Sequence, residues 1–214
     1  VSPTRTDLST VAAGLADLRA GRPVLVVDSP ERENEVDVVL AAGSATAEWL
    51  PLPVRHRAGY LCAPMTEERA DALALPLMVP DSQDPRRTAY TVTVDAASGV
   101  GTGISAADRA RTLQVLADPG AGPADLIRPG HVLPLRARPD GVLERAGHTE
   151  AAVDLCRLAG LDAVAGIAEL VTDDGGMMGL DDASALARAH RLSVLSIADL
   201  VDWRVQHGDL PAAP

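Results

Sequence analysis

The chain has no phenylalanine and no lysine, only two cysteines, and aromatics amount to 2% of 214 residues. Each shortage excludes something. Few aromatics leave few stacking platforms for single-stranded nucleic acid, and they force an aliphatic core. Cys62 and Cys156 cannot make a disulfide framework. No apolar run approaches the roughly 18 residues that a membrane helix needs, and no basic leader with a cleavage site is visible at the start. The reading is a soluble, cytoplasmic protein. A basic complement made only of arginine reads as the codon bias of a GC-rich genome rather than as a functional signal.

The balance of charge points the same way. A net charge of −11 opposes nonspecific binding to nucleic acid or to an anionic membrane, because both rely on positive surface potential. The arginines then have local tasks. The length suits one globular domain with a sizeable core, expected over 1–207 with a frayed tail at 208–214.

Along the chain, strand and helix patterns interleave. Leu8, Val11, Leu15 and Leu18 fall on one helical stripe that Gly21 ends. "PVLVVD" (23–28) and "VDVVLAAG" (36–43) are short β-branched runs that suit buried strands. The segment 44–58 has helical composition, but Pro51 and Pro53 break or kink any helix there. "YLCAP" and "YTVTVD" read as strands. "SAADRARTLQVLAD" reads as a helix with Ser105 as N-cap and Asp108 three residues on. After a Gly/Pro-rich link at 119–130 follow the strand "HVLPLRA", a helix from about His148 to Leu158, the apolar run "AVAGIAELV", and a final helix, strand and helix. The class is α/β or α+β, one domain with a mixed sheet covered by helices.

Two stretches carry candidate chemistry. In "ERENEVDVV" (31–39), an extended backbone would put Glu33, Glu35 and Asp37 on one face. Three carboxylates that close require a cation, raised pKa values, or both, and oxygen ligands of this kind suit Mg²⁺. The alternative is an exposed edge or loop with solvated acids. In "LERAGHTEAAVDLCRLAG" (143–160), Gly147 allows a tight turn into a helix whose free N–H groups face an anion. Arg145 adds a guanidinium suited to phosphate, Thr149 a hydroxyl, and His148 a metal-ligating imidazole. The alternative is Thr149 as a plain cap and His148 as a surface residue.

These stretches, with "GTGISAADRARTL", "DLIRPGHVLPLRA" and "ELVTDDGGMM" in the same order and spacing, resemble the 3,4-dihydroxy-2-butanone 4-phosphate synthases of riboflavin biosynthesis from about residue 7 to 206. The resemblance implies an α/β sandwich, a homodimer with sites at the subunit interface, and Mg²⁺, with Mn²⁺ as a substitute. It also implies conversion of ribulose 5-phosphate to 3,4-dihydroxy-2-butanone 4-phosphate and formate. Matched residue by residue, the metal ligands are Glu33 and His148. The substrate contacts are Arg32, Glu33, Asp37, Thr102, Arg145, Ala146, Gly147, His148, Thr149 and Glu169, with Ser105 packing the helix beside Thr102. Two essential positions match His131 and Glu169, and the proton shuttles are His131, Glu169, Asp37 and Glu35. Cys62 reads as buried structure, because a nucleophilic thiol needs an electropositive partner. His56, His190 and His207 read as structural or surface residues, and Asp173 and Asp174 as a turn.

The sequence also departs from the pattern. Val36 stands where the family has Gly, so its side chain either narrows the pocket or fills the core. Arg57 and Ala58 replace a glycine-containing stretch, Ser82, Arg86 and Arg87 stand in place of an Asn and His-Gly pattern, and Gly101, Gly43 and "GGMMGL" also differ. Three readings follow: the family reaction on ribulose 5-phosphate, a diverged paralogue acting on a related phosphorylated ketose in a specialised biosynthetic pathway, or a noncatalytic binder of sugar phosphates.

Overall fold

The computed structural model describes residues 8–50 and 60–208. Pro51, Pro53, His56, Arg57, Ala58 and the tail after Gly208 lie outside the described residues.

The first helix, α1 (Val11–Arg19), starts where Thr10 accepts the Ala13 N–H, and it buries Val11, Leu15 and Leu18. Gly21, at φ +72°, turns the chain into β1 (Val24–Val27). Then come β2 (Val36–Ala41), β3 (Cys62–Met65), a short helix α2 (Glu67–Ala72), β4 (Ala89–Tyr90) and β5 (Val94–Ala96). Helix α3 (Ala106–Ala117) leads to β6 (Leu126–Arg136), α4 (His148–Leu158) and β7 (Ala165–Glu169). The chain closes with α5 (Leu180–His190), β8 (Val194–Ser196) and α6 (Ile197–His207).

The strands join into one eight-stranded sheet in the order β4-β6-β3-β7-β2-β1-β8, with β5 also on β6. β1–β8 and β3–β6 are parallel and the other pairs antiparallel, so the sheet is mixed as expected. Alternate residues divide between two cores, as the pleat requires. Leu25, Val27, Val36, Val38 and Leu40 pack with α2, α3 and α5 on one side, while Val24, Val26, Val39 and Ala41 pack with α1, α4 and α6 on the other. Asp37 shares the parity of Val39, so its carboxylate belongs to the α4 side.

Three expectations change. "YTVTVD" is not one strand: β4 pairs with the end of β6 and β5 with its beginning, with a register shift between Val94 and Asp95. The link at 119–130 ends early, because residues 126–130 already belong to β6. Gly130 is there for close approach, since a Cβ would lie 2.0 Å from the Val94 carbonyl carbon. Of the segment 44–58, Ser44 ends a 3-10 turn over Ala42–Ser44 and 47–50 form a turn, so its helical composition makes no regular helix in the described part. Helix α2, six residues long behind a Thr66 cap, is too short to show a helical stripe in the sequence.

Helix α4, which carries the site, is clamped at its far end by α6. Arg204 and Asp154, 3% and 2% exposed, pair at 2.9 Å. Arg204 also donates to the Asp140 carbonyl at 2.6 Å, and Asp154 accepts the Val142 N–H. Replacing Arg204 by Met should cost about 3 kcal/mol, because a buried carboxylate is left without its cation. Urea unfolding reads this directly; an unchanged midpoint would contradict the clamp.

Candidate active site

The acidic stretch is a hairpin loop, and this corrects the expectation that Glu33 sits on a strand. β1 and β2 pair antiparallel as far as Val27↔Val36, and the loop between them is organised by Asp28. The Asp28 carboxylate, 1% exposed, accepts the backbone N–H of Glu33 at 3.1 Å and of Glu35 at 2.9 Å, and it pairs with Arg32 at 2.9 Å. Asn34 bends the chain at φ +56°, a conformation that Asn tolerates better than most side chains. Glu33 and Glu35 therefore reach the site from a turn and Asp37 from the strand. The convergence holds, but its cause is the loop.

Across the sheet Asp37 stands opposite Glu169, the last residue of β7. His148, the first residue of α4, is also buried, and its Nδ1 lies 3.9 Å from an Asp37 oxygen. Its Nε2 sits 3.2 Å from the Val26 carbonyl. A carbonyl only accepts, so Nε2 carries the proton and Nδ1 keeps its lone pair toward the acids. Gly147 caps α4, and a Cβ there would lie 2.5 Å from an Arg145 nitrogen and 3.0 Å from one of Arg32. Two guanidinium groups thus converge over a helix N-terminus, a setting for a phosphate. Arg145 is held by Glu150 at 2.6 Å and by the Thr88 hydroxyl at 3.2 Å.

Together these elements line one cavity: Arg32, Glu33, Glu35, Asp37, Arg145, His148, Thr149 and Glu169, with Tyr60, Cys62, Thr88, Tyr90, Leu135, Ile167 and Ala168 as walls. Ala146 and Gly147 connect Arg145 to His148 at its edge. Burial pushes the Asp37 carboxyl well above its usual value, and Glu35, Glu33 and Asp28 push further. Glu35 and Glu169 are raised by burial first, then by neighbouring carboxylates, with His148 opposing. Burial lowers the His148 value, favouring the neutral ring that a metal requires.

Does this donor set fit a divalent ion? Atoms of Asp28, Glu33 and His148 lie within 4.8 Å of one another. Asp37 Oδ1 is buried with no hydrogen-bond partner among the described residues. An excess of buried carboxylate, an unpartnered oxygen and a free imidazole lone pair all suit a hard cation. Asp28 already accepts two N–H groups and Arg32, so it positions Glu33; His148 keeps its lone pair for a ligand bond, and the Glu33 carboxylate, paired with Arg32 and Arg86, would have to exchange a guanidinium for the ion.

Thr102 and His131 do not line this cavity. His131 Nδ1 pairs with Asp95 at 2.7 Å and its backbone N–H donates to Asp95 at 2.9 Å, with the ring 41% exposed. Gly103, at φ +86°, packs against both. Ser105 caps α3 as expected, and Asp108 gathers the N–H groups of Gly101 and Gly103. Val36 is 1% exposed in the core on the opposite face from Asp37, so it fills the core and leaves the cavity unchanged. Gly43 and Gly101 also lie elsewhere, and Ser82 and Arg87 line a neighbouring groove. Burial, then Asp37 and Glu169, raise the Cys62 thiol, in agreement with a structural role. His190 and His207 are exposed, and Asp173 and Asp174 form a turn. Reasoning on sequence missed Asp28, Thr88, Tyr90, Glu150 and Asp95. Only Asp28 gave a signal, as the acid closing a buried strand before a turn.

The family model described as 3,4-dihydroxy-2-butanone 4-phosphate synthase matches residues 12–203. The chain belongs to the 3,4-dihydroxy-2-butanone 4-phosphate synthase family. It is 56% identical over 199 residues to the riboflavin biosynthesis protein RibBA of Salinispora arenicola, covering 93% of this chain and 47% of that protein. For RibBA of Mycolicibacterium gilvum the identity is 52%, over 94% of this chain and 48% of the relative. The chain thus spans about half the length of the curated relatives it matches. A synthase of this family crystallised with two magnesium ions is 44% identical, with a TM-score of 0.90 over 95% of this chain and 100% of that one. The Candida albicans synthase is 45% identical with a TM-score of 0.85, over 92% and 97%. The α/β architecture of these synthases is the one described above.

Proposed function

We propose that this member of the synthase family converts D-ribulose 5-phosphate to 3,4-dihydroxy-2-butanone 4-phosphate and formate in a single catalytic domain over residues 1–207. The observation that carries this is the meeting of Glu33, Glu35, Asp37 and Glu169 with His148 beneath two arginines at a helix N-terminus. Glu33 and His148 would hold Mg²⁺, with Mn²⁺ as a substitute, and a bound ion supplies Lewis acidity toward the sugar's carbonyl and hydroxyl oxygens. Arg32, Arg145 and the N–H groups of α4 hold the phosphate and so fix the sugar relative to the acids. Asp37 and Glu169, facing each other across β2 and β7, are the groups that take and return the carbon-bound and hydroxyl protons. Glu35 relays protons at the loop edge. Leu135, Ile167 and Tyr90 exclude bulk water. One hydroxyl is lost and one water is added when the terminal carbon leaves, so substrate and products balance. The free thiols Cys62 and Cys156 suit a reducing, cytoplasmic setting, and no described helix is long and apolar enough to cross a membrane.

His131 and Thr102 come from a second copy of the chain, which completes the site in a homodimer. Supporting this, the half-exposed His131 carries a carboxylate partner for proton transfer, and Ile104 and Ile127 nearby in the chain are 49% and 51% exposed. The reaction is tested by incubating the protein with ribulose 5-phosphate and Mg²⁺ and following formate and the four-carbon phosphate by mass spectrometry, with and without EDTA. Absence of formate sinks it. For the shared site, inactive His131→Ala and Glu169→Ala chains mixed in equal amounts should recover about a quarter of the activity per dimer, because half the dimers are mixed and each holds one intact site. No recovery on mixing would place both residues in one subunit's site.

A further inference from the structure

The loop before β4 brings an arginine onto the same carboxylate that the metal needs. Arg86 Nε lies 3.2 Å from one Glu33 oxygen, the side chain being 42% exposed, and Arg32 engages the other oxygen. A second Arg86 nitrogen donates to the Arg32 carbonyl. The loop is braced in this position. Asp84 accepts the N–H groups of Arg86 and Thr88, Arg87 turns the chain at φ +53°, and the Arg86 carbonyl receives Arg145 Nε at 3.3 Å. Arg32 is further tied to the buried Asp28, whereas Arg86 is the more exposed of the two cations on Glu33.

We propose that Arg86 is an exchangeable cation: it occupies Glu33 in the metal-free site, and once a divalent ion takes that carboxylate it becomes an anion-binding group for the substrate phosphate. The physical reason is that Glu33 cannot serve a guanidinium and a doubly charged ion equally, and two cations a few ångströms apart repel. The displaced guanidinium stays at the cavity mouth because the loop is pinned to Arg145. Metal and phosphate binding then assist each other, and the assistance is reciprocal. This inference rests on the metal site assigned under the proposed function.

Two titrations of the full chain test it without turnover. In calorimetry with Mn²⁺ alone, Arg86→Ala should bind the ion about threefold to fivefold more tightly than the parent, the effect of removing one exposed ion pair. Arg86→Lys should return toward the parent value. With Mn²⁺ bound, inorganic phosphate should bind Arg86→Ala about tenfold more weakly than the parent, while without the metal the two should differ little. Unchanged or weaker Mn²⁺ binding by Arg86→Ala, equal phosphate affinity of the two Mn²⁺-loaded proteins, or no Mn²⁺ binding by either, overturns the exchange. A parent that binds Mn²⁺ but releases no formate refutes the proposed reaction and leaves both titrations readable.

Discussion

Glu33→Gln should lower formate release by about 10³-fold and abolish measurable Mg²⁺ affinity in the millimolar range. The amide keeps the size of the side chain and one acceptor oxygen, so the hairpin loop that Asp28 organises through backbone N–H groups should survive. What disappears is the negative charge that a hard cation requires, and with it the ion pairs to Arg32 and Arg86. His148 then remains as a single neutral ligand with Asp37 nearby, too little to hold a strongly hydrated ion. Glu31→Gln is the control: Glu31 is exposed in the same loop, and its replacement should leave both measurements near those of the parent. Mn²⁺ titration and the formate assay together decide the matter. More than a tenth of parental turnover with normal metal affinity in Glu33→Gln would remove Glu33 from the metal site.

The sequence was legible wherever local chemistry decides structure. The start of α4 at His148 follows from Gly147 and an apolar stripe, and the cap at Ser105 from its own hydroxyl. Strand patterns gave a mixed sheet with helices on both faces. Legibility failed where a distant partner decides. Alternation suggested a face shared by Glu33, Glu35 and Asp37, yet Asp28 and the left-handed Asn34 make that stretch a loop, and the acids meet by a different route. Nothing in the letters around Glu150 announces that it neutralises Arg145 five residues earlier. His131 and Glu169 look equivalent as family positions, but β6 carries the first toward Asp95 and β7 the second toward Asp37. Val36 posed a question that only the parity of β2 could answer: the neighbour of an inward acid on a strand points to the other core.

Asp37→Asn should stabilise the metal-free protein and disable the Mg²⁺-loaded one. The folded-state value of Asp37 is raised above the unfolded one, so the folded chain binds more protons than the unfolded chain between those two values. Stability from this group is complete below the unfolded value and is lost as pH rises toward the folded one. Glu35 and Glu169 are raised too and add to the same slope. His148 is lowered, so its cost appears as pH falls below about 6.5, where the unfolded imidazole gains a proton. Relative to the variant, the parent in EDTA should lose stability as pH rises from the ordinary carboxylate range, about 4, through the raised Asp37 value. Asparagine cannot ionise, so the variant should show a shallower slope and be about 2 kcal/mol more stable at pH 8.5. Added Mg²⁺ should narrow the difference, because the ion relieves the same repulsion in the parent. Turnover should fall by about 10²–10⁴-fold, since the amide cannot take or give the proton. Urea unfolding across this pH range, with formate release measured on the Mg²⁺-loaded proteins, tests both halves; a variant less stable than the parent at pH 8.5 would show that Asp37 does not strain the metal-free fold.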